Sequence, residues 1–267
     1  MYDGLTVHVV AKNEEKWIWY ALKSVLDVAD RILVYDTGST DNTIEIIKSI
    51  NSKKIELTEF KDIDADGFTK LRQRQLDETK SNWIFVCDAD EIWSKDALNG
   101  VIERIKAAPE NIIAGFVKYF EFVKDIHHYY MGHEQIIFPL NEKKTYGWYA
   151  IRFIKMIPGL YCGNPYGAEG YFTANGNELQ RNGFNNYLWC EDTYYFHARN
   201  LLRSSNEAKD KEVMQRVEKR HYMKIGKIPP VYRGVKITYP EVFFDDTRPE
   251  IVAPIDRSKF KENGFQL

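Results

Sequence analysis

Apolar and amphipathic segments alternate along the first half of the chain. Short apolar runs predict buried strands at residues 7–11, 31–35, 55–60 and 83–87, with a further strand near 112–122. Helical spacing of apolar residues, or an intervening polar stretch, predicts helices around residues 18–26, 44–50, 68–79 and 95–107. Strands that alternate with helices form parallel sheets with helices on their faces. The pattern therefore predicts an α/β fold with a mostly parallel central sheet.

Polar clusters follow three of these predicted strands directly. They are Lys12, Asn13 and Glu14 after the first strand, residues 36–41 after the second, and residues 88–91 after the fourth. In open α/β sheets, ligands bind outside the carboxyl ends of the strands. We therefore expect the three clusters to line one site.

The alternation of strands and helices stops after Phe122. The segment that follows, to about residue 195, is rich in glycine, asparagine and aromatic residues, and predicts short strands such as one at 149–156. Residues 201–223 are highly charged and predict a helix, whereas the proline-rich tail from Pro229 predicts an extended segment. We expect residues 1–267 to form one domain with these successive parts.

The aromatic residues are unevenly distributed along the chain. They number 38, and 21 of them lie between Phe116 and Phe196. The excess therefore falls in the part of the chain without regular alternation. Most of these side chains are expected to form core.

Charge and cysteine content exclude several classes of protein. The chain has 37 basic and 39 acidic residues, whereas an electrostatic nucleic-acid binder needs a basic excess. Cys87, Cys162 and Cys190 are widely spaced, so neither a disulfide scaffold nor a zinc ribbon is expected. The sequence has no signal-peptide pattern and no stretch approaching the ~20 apolar residues of a membrane span. We expect a cytoplasmic protein, with peripheral membrane contact left open.

An Asp-x-Asp pair, Asp88 and Asp90, ends the fourth predicted strand, with Glu91 beside it. Carboxylates at the end of a buried strand must be paired with cations or bound to metal. Their oxygens suit Mg²⁺ and Mn²⁺, which bind substrate phosphates with only one or two protein carboxylates. A solvated acidic turn is the alternative, because Asp-x-Asp alone is a common sequence.

Several motifs in a characteristic order resemble those of the family 2 glycosyltransferases with the GT-A fold. They are Lys12-Asn13-Glu14 after an apolar strand, the sequence DTGSTDNT after the next strand, Phe68-x-x-x-Arg72 on a helix, and Asp88-x-Asp90. The resemblance covers residues 5–95 well, and the sequences IRFIKMIPG, AEGY and YFHARNLLRSS resemble the second half of the family. It implies a GT-A (Rossmann-like) fold and transfer of a sugar from a nucleotide-sugar donor, with a UDP-sugar favoured.

The resemblance implies roles for residues around the donor. Asp36 would accept a hydrogen bond from the nucleotide base, which suits the imide N–H of uracil, and Asp41 lies in the same loop. Glu14 would lie near the ribose, with Lys12 beside it after the first strand. Arg72 would face the diphosphate, where a guanidinium can bind bidentately. A surface cation on a helix is the alternative for Arg72.

The resemblance also implies a divalent cation, Mn²⁺ or Mg²⁺. Asp90 would bind it directly, Asp88 would hold it through water or hold the ribose, and His197 would be the third protein ligand. The cation would neutralise the charge that develops on the leaving nucleoside diphosphate. Arg199 and Arg203 follow His197 and are expected to contact phosphates, with solvated helix charges as the alternative.

An inverting transferase needs a general base, usually Asp or Glu, to deprotonate the acceptor hydroxyl. Glu169, in the sequence GAEGY, aligns with a glutamate that the family often places after the Arg-x-Phe strand. Glu191 and Asp192 are the rivals, because an x-Glu-Asp motif serves as the base in other GT-A enzymes. We favour Glu169, and an ordinary ion-paired carboxylate is the alternative for each.

The resemblance divides the chain by role. Residues 1–115 would bind the donor, residues 116–200 would form the acceptor side, and residues 201–267 would form a C-terminal helix and tail. The acceptor, a saccharide, lipid-linked molecule or protein, is unknown. Aromatic faces pack against apolar sugar surfaces, and Tyr and Trp keep a polar group. The residues expected to set acceptor specificity are Tyr146, Trp148, Tyr166 and Trp189.

Two other classes of function stay open from the sequence. A nucleotidyltransferase can use a similar architecture and metal, but it normally has a Gly-rich, basic N-terminal loop, which Lys12-Asn13-Glu14 is not. A non-catalytic binding module could also keep the fold. A cluster of His127, His128, His133 and Glu134 could bind metal, but it lacks a helical HExxH pattern, so we expect loop residues or acceptor contacts there.

Overall fold

The computed structural model describes residues 3–61, 63–131, 134–136, 144–146, 148–165, 167–180, 186–262 and 264–265. For residues 134–136, 144–146 and 209 it describes the backbone alone.

Four parallel strands form the N-terminal part of the main sheet, as the apolar runs predict. They are β1 (Leu5–Ala11), β2 (Arg31–Asp36), β3 (Ile55–Glu59) and β4 (Trp83–Val86). Their order across the sheet is β4-β1-β2-β3, and β3 is the half-exposed edge. The other three strands are buried almost throughout, which explains their continuous apolar sequences.

Four helices connect or follow these strands. They are α1 (Ile18–Val25), α2 (Thr43–Ser49), α3 (Ala65–Glu78) and α4 (Lys95–Ala107). The helix predicted from residue 68 begins at Ala65, because the Asp64 carboxylate accepts a hydrogen bond from the Gly67 N–H and caps the helix. Ser94 caps α4 in the same way, and α4 has the bounds that the sequence predicts.

The rest of the chain adds six strands to the same sheet and forms small separate sheets. The strands after β4 are β5 (Glu91–Ile92), β6 (Ala114–Val123), β7 (Asp125–Tyr130), β8 (Glu134–Ile136), β9 (Lys144–Tyr146), β10 (Trp148–Lys155), β11 (Tyr161–Gly163), β12 (Gly170–Phe172), β13 (Tyr187–Asn200) and β14 (Ile225–Lys227). β8 pairs with β9 and β11 with β12 in separate two-stranded sheets, and the other six strands join the main sheet. β10 lies antiparallel between β4 and β6, and β13 runs parallel to β6. In the described part of the chain, the main sheet contains ten strands.

The long strand β13 differs from the irregular segment that the sequence predicts there. Its pairing with β6 shifts register between Cys190 and Tyr194, which marks a bulge at Glu191, Asp192 and Thr193. Because these polar residues interrupt the apolar pattern, the local sequence does not predict a strand there. The strand matters for the site because β5 pairs antiparallel with its C-terminal end, which sets His197 opposite Glu91.

The C-terminal part contains a shorter helix than the sequence predicts, followed by a tail that packs on the core. The helix expected over 201–223 is α5 (Glu207–Lys219). The tail contains a two-stranded ribbon, β15 (Val231–Tyr232) with β16 (Val235–Lys236), and a 3₁₀ turn, Glu241–Phe244. Tail residues Val252 and Phe260 are fully buried, so this extended segment contributes to the core.

The α/β fold expected from the sequence, a mostly parallel central sheet flanked by helices, is confirmed, with antiparallel β10 joining its two halves. Among the helices of the described residues, none combines the length and apolar character needed to cross a membrane.

Candidate functional site

The loop after β2 is ordered by hydrogen bonds to the loop after β1. The Asn13 N–H donates to Ser39 Oγ at 2.8 Å, and the Thr40 N–H donates to Asn13 Oδ1 at 2.7 Å. Asn13 has a φ of 54°, a conformation that asparagine tolerates better than most residues. The two polar clusters predicted at strand ends are therefore in contact. Lys12 lies beside them and is exposed.

Asp36 is completely buried at the end of β2 and organises the loop that follows. Its Oδ1 accepts from the N–H groups of Gly38 and Ser39 at 2.9 and 2.8 Å, and its Oδ2 accepts from the Ser39 hydroxyl. The structure thus shows Asp36 as the residue that shapes the loop. Its contact with a nucleotide base stays a prediction.

Asp41 links the β2 loop to the segment after β13. Its Oδ1 accepts from the N–H of Thr43 at 3.0 Å, and its Oδ2 accepts from the Ser204 hydroxyl. Glu15 makes a parallel link, because its Oε1 accepts from the Ser205 N–H and its Oε2 from the Asn42 N–H. We call residues 203–206 segment 203–206. These hydrogen bonds hold segment 203–206 against the loops at the strand ends.

Asp88 lies between two arginines. Arg72 Nη2 is 3.2 Å from its Oδ1, and Arg152 Nη2 is 3.1 Å from its Oδ2. Burial opposes ionisation of Asp88, but Arg152 and Arg72 hold the pKa of its carboxyl below the usual value. The Arg72 side chain is only 7% exposed, so the alternative of a surface helix cation does not describe it.

Glu91 is fully buried and pairs with Arg152. Its Oε2 also accepts from the Asp88 N–H at 3.2 Å. Burial raises the pKa of Glu91 to about 7, against the opposing effect of Arg152. Arg152 extends from β10, inside the apolar sequence IRFIK, and also donates to the Tyr195 hydroxyl.

Asp90 faces His197 on one side and Arg203 on the other. His197 Nε2 is 3.3 Å from Asp90 Oδ1, and Arg203 Nη2 is 2.5 Å from Asp90 Oδ2. Arg203 Nη1 also donates to Glu14 Oε1 at 2.7 Å. Burial opposes protonation of His197, but Asp90 raises the pKa of its imidazole above the usual value. Residues from the loops after β1 and β4, from β13 and from the segment after β13 thus meet at one point.

We call these eight residues the acidic cluster: Glu14, Arg72, Asp88, Asp90, Glu91, Arg152, His197 and Arg203. Its four carboxylates outnumber its three guanidinium groups by one. Ligand atoms of Asp88, Glu91 and His197 lie within 4.8 Å of one another, and Asp90 adjoins His197. Carboxylate oxygens with one imidazole suit Mn²⁺, so the residues fit a divalent cation.

Arg152 is the member of the cluster that the sequence did not place in the site, and Glu91 was expected there without a role of its own. A sequence signal for Arg152 exists, since an arginine within a buried apolar strand needs a buried anionic partner. The partner itself, Glu91, follows from the pairing of β5 with β13, which joins segments distant along the chain.

The candidate bases lie outside the contacts of the acidic cluster. Both oxygens of Asp192 accept from Arg104 of α4 at 2.5 Å, and Glu191 is exposed. Glu169 is half-buried next to β12, and its Oε2 accepts from the Gly167 N–H. The neighbouring β11 packs on α3, the helix that carries Arg72.

Trp189 and Trp148, two of the aromatics expected at the acceptor, are half-buried and packed. The Trp189 ring stacks on Phe116 with centroids 4.3 Å apart, and Trp148 packs against the apolar cluster that contains Tyr130. Tyr166 and the Tyr146 side chain lie outside the described residues.

The histidine group near β7 shows a structural arrangement where it is described. His127 is buried with its ring 4.8 Å from that of Phe260, and His128 Nδ1 lies 2.7 Å from Asp125 Oδ1. His133 and the Glu134 side chain lie outside the described residues.

A parallel sheet with an acidic cluster at its carboxyl edge matches the GT-A class of glycosyltransferases in fold. The chain belongs to glycosyl transferase family 2, because the sequence profile of that family matches residues 6–159, more than half of the chain. The expected family is thereby confirmed.

Curated relatives are similar over part of the chain. The SPbeta prophage-derived glycosyltransferase SunS of Bacillus subtilis (strain 168) is 33% identical over 93 residues, 34% of this chain and 21% of SunS. An uncharacterized glycosyltransferase of Rickettsia bellii (strain RML369-C) is 33% identical over 106 residues, 39% of this chain and 33% of that protein. The matches thus span a fifth to a third of these relatives.

Among solved structures, S. aureus TarS 1-349 in complex with UDP-GlcNAc shares the fold. The superposition has a TM-score of 0.52 at 17% sequence identity and covers 80% of this chain and 65% of TarS 1-349.

Proposed function

We propose that this protein is a metal-dependent, inverting glycosyltransferase that moves a sugar from a nucleotide-sugar donor to an acceptor. The observation that carries the proposal is the acidic cluster, in which buried carboxylates, an imidazole and three guanidinium groups meet at the carboxyl ends of the strands. Cations and carboxylates in this place can hold a diphosphate together with a divalent ion. Membership of glycosyl transferase family 2 supports the same reaction class.

The donor is proposed to be a UDP-sugar, which TarS, a protein of similar fold, binds in its crystal structure as UDP-GlcNAc. Arg72 and Arg203 are proposed to contact the diphosphate, because each presents a buried guanidinium to the cluster. Glu14 is proposed to lie near the ribose, and Lys12 beside the donor. Asp36 and Asp41 hold the loop that would contain the base. The cytoplasmic location stays a prediction.

Asp90, Asp88 and His197 are proposed to hold Mn²⁺ or Mg²⁺, with Glu91 close enough to join them. When bound, the cation supplies positive charge against the diphosphate of the leaving group. Arg152 holds Asp88 and Glu91 in place. Asp88 is proposed to stay ionised near neutral pH, since Arg152 and Arg72 keep the pKa of its carboxyl low.

In the proposed reaction, the acceptor hydroxyl oxygen attacks the anomeric carbon and the bond from that carbon to the diphosphate oxygen breaks. The hydroxyl proton passes to a carboxylate. We propose Glu169 for this role, because this half-buried carboxylate makes no ion pair among the described contacts, whereas Arg104 holds both oxygens of Asp192. Proton transfer to Asp192 would have to compete with that bidentate pair.

The direct test of the function is release of nucleoside diphosphate from a panel of nucleotide sugars with Mn²⁺ and candidate acceptors. We expect turnover with one donor, and its loss in Asp90→Asn with the fold retained. Asp246→Asn, which changes an exposed carboxylate outside the cluster, is the matched control and should keep full turnover. Mn²⁺-dependent turnover that persists in Asp90→Asn contradicts the proposal.

A separate test identifies the base. Glu169→Gln should lower turnover by about 10²–10⁴-fold, the usual contribution of general base catalysis, while donor binding is largely kept. Kinetics of Glu169→Gln, Glu191→Gln and Asp192→Asn, each with a donor titration, distinguish the candidates. A mild effect at Glu169 with a severe effect at Glu191 or Asp192 assigns the base to the latter pair.

A further inference from the structure

Arg203 joins two acidic residues from different strand ends. Its Nη2 is 2.5 Å from Asp90 Oδ2, and its Nη1 is 2.7 Å from Glu14 Oε1. The three side chains are 11%, 4% and 6% exposed, so the ion pairs are shielded from solvent. Burial opposes the charge of the guanidinium, but Asp90 and Glu14 raise the pKa of Arg203 above its usual value. Arg203 is therefore a fixed positive charge within the cluster.

Both backbone polar groups of Arg203 are hydrogen-bonded. Its N–H donates to Asp210 Oδ1 at 3.1 Å, and its carbonyl accepts from the Lys16 N–H at 3.0 Å. Ser204 and Ser205 then bond to Asp41 and Glu15, as described above. The fold thus holds segment 203–206 at the point from which its arginine reaches Asp90.

This arrangement uses both oxygens of the Asp90 carboxylate. Oδ1 faces His197, and Oδ2 accepts from Arg203. A divalent cation that takes Asp90 as a ligand must approach a carboxylate already paired with a guanidinium. Two cations on one buried carboxylate repel each other strongly, because screening by solvent is weak there.

We propose that Arg203 is an internal counter-cation that competes with the divalent cation for Asp90, and that a nucleoside diphosphate relieves this competition. The proposal rests on the proposed function for the identity of the anion. The diphosphate offers Arg203 a new anionic partner, and a ribose hydroxyl can replace the guanidinium at Glu14. Cation and nucleotide then bind as a pair, each weakly without the other, and linkage makes this coupling reciprocal.

The proposal predicts opposite effects of removing Arg203 on two affinities. Without nucleotide, Arg203→Gln should bind Mn²⁺ about tenfold more tightly than the wild type, within the usual range of coupling between sites. With saturating UDP, the gain in Mn²⁺ affinity that UDP produces should be smaller in Arg203→Gln than in the wild type. A structural role alone would not raise metal affinity.

The experiment is a Mn²⁺ titration followed by the electron paramagnetic resonance of free Mn²⁺, with and without UDP, and needs no turnover. Arg257→Gln is the matched control, since it removes the same charge from an ion pair with Asp246 outside the cluster. Its Mn²⁺ affinity should equal that of the wild type. Circular dichroism verifies that each variant is folded.

Arg203→Lys provides a second variant in case the glutamine leaves Glu14 and Asp90 too poorly compensated to fold. One ammonium cannot reproduce the two contacts of the guanidinium, so the Mn²⁺ affinity of this variant should exceed that of the wild type by a smaller factor.

The outcomes separate this inference from the proposed function. Equal or weaker Mn²⁺ affinity in the Arg203 variants, with UDP-dependent Mn²⁺ binding intact, overturns the competition and leaves the proposed function standing. Failure of the wild type and both variants to bind Mn²⁺, with or without UDP, overturns both.

Discussion

Among single residues, Arg152 shows most clearly how positive charge compensates the buried carboxylates of the acidic cluster. It is the shared partner of Asp88 and of Glu91, whose side chain is completely inaccessible to solvent. A buried carboxylate that loses its partner costs far more than an exposed one, because water cannot replace the lost contacts. The fold therefore depends on this arginine even before any ligand binds.

Replacement of Arg152 by glutamine should destabilise the protein by about 3–5 kcal/mol, because Glu91 is left buried without its ion pair. The double variant Arg152→Gln/Glu91→Gln should regain part of this loss. Arg104→Gln, which breaks a half-exposed pair with Asp192, should cost only ~0–1 kcal/mol. Urea denaturation measures all three, and similar losses in Arg152→Gln and Arg104→Gln would contradict the argument.

The burial of His8 should make the stability of the protein depend on pH. It is fully buried in β1, and burial holds the pKa of its imidazole well below 6.5, helped by Arg72 and Arg31. Below about pH 6.5 the unfolded chain takes up a proton that the folded protein does not, so stability falls as pH falls.

Between pH 7 and 5, the wild type should therefore lose more stability than His8→Gln, with a contribution from His8 of up to about 1.4 kcal/mol per pH unit. The glutamine retains a group that can bond to Thr79, the present partner of His8. Denaturation curves at several pH values give the two slopes, and identical slopes would show that folding does not lower the pKa of His8.

Among the elements, the strand ends of the first half were predictable, and the pairings of the second half were not. Glu14, Asp36 and Asp88 lie where the rule for parallel strands puts them, because each directly follows a local apolar run. The approach of Glu91 to His197 depends on β13 pairing with β5 and β6. That register is a long-range property, and the bulge at 191–193 obscures it further.

Helix α3 carries a buried amide that bonds to two strands of the sheet, which yields a prediction. Gln75 Nε2 donates to the carbonyls of Val9 and Leu33 at 3.0 Å each, and its Oε1 accepts from Arg72 at 3.4 Å. Gln75→Leu should cost about 1–3 kcal/mol, the penalty for unsatisfied buried polar groups. Lys70→Leu on the exposed face of α3 should change stability by less than about 0.5 kcal/mol.

The same two variants test whether α3 positions Arg72. UDP affinity, measured by calorimetry, should fall in Gln75→Leu and stay unchanged in Lys70→Leu. Unaltered stability and UDP affinity in Gln75→Leu would show that the amide neither secures the helix nor orients Arg72.

Over the whole molecule, the sheet and the segment after it bring residues as distant as Glu14 and Arg203 to one carboxyl edge. The two halves have different roles in this account. The N-terminal half supplies Glu14, Arg72 and the Asp88–Glu91 turn, and the second half supplies Arg152, His197 and Arg203. A nucleotide and a cation bound there should therefore stabilise the entire fold by mass action.

The most direct test is the thermal stability of the wild type and of Asp90→Asn with UDP, with Mn²⁺, with both and with neither. At about 100 times the Kd, UDP with Mn²⁺ should stabilise the wild type by about 2.7 kcal/mol, more than the separate effects combined, and Asp90→Asn should lose the Mn²⁺-dependent part. Stabilisation by UDP that is the same with and without Mn²⁺, or that survives unchanged in Asp90→Asn, would contradict a cation-assisted nucleotide site at this edge of the sheet.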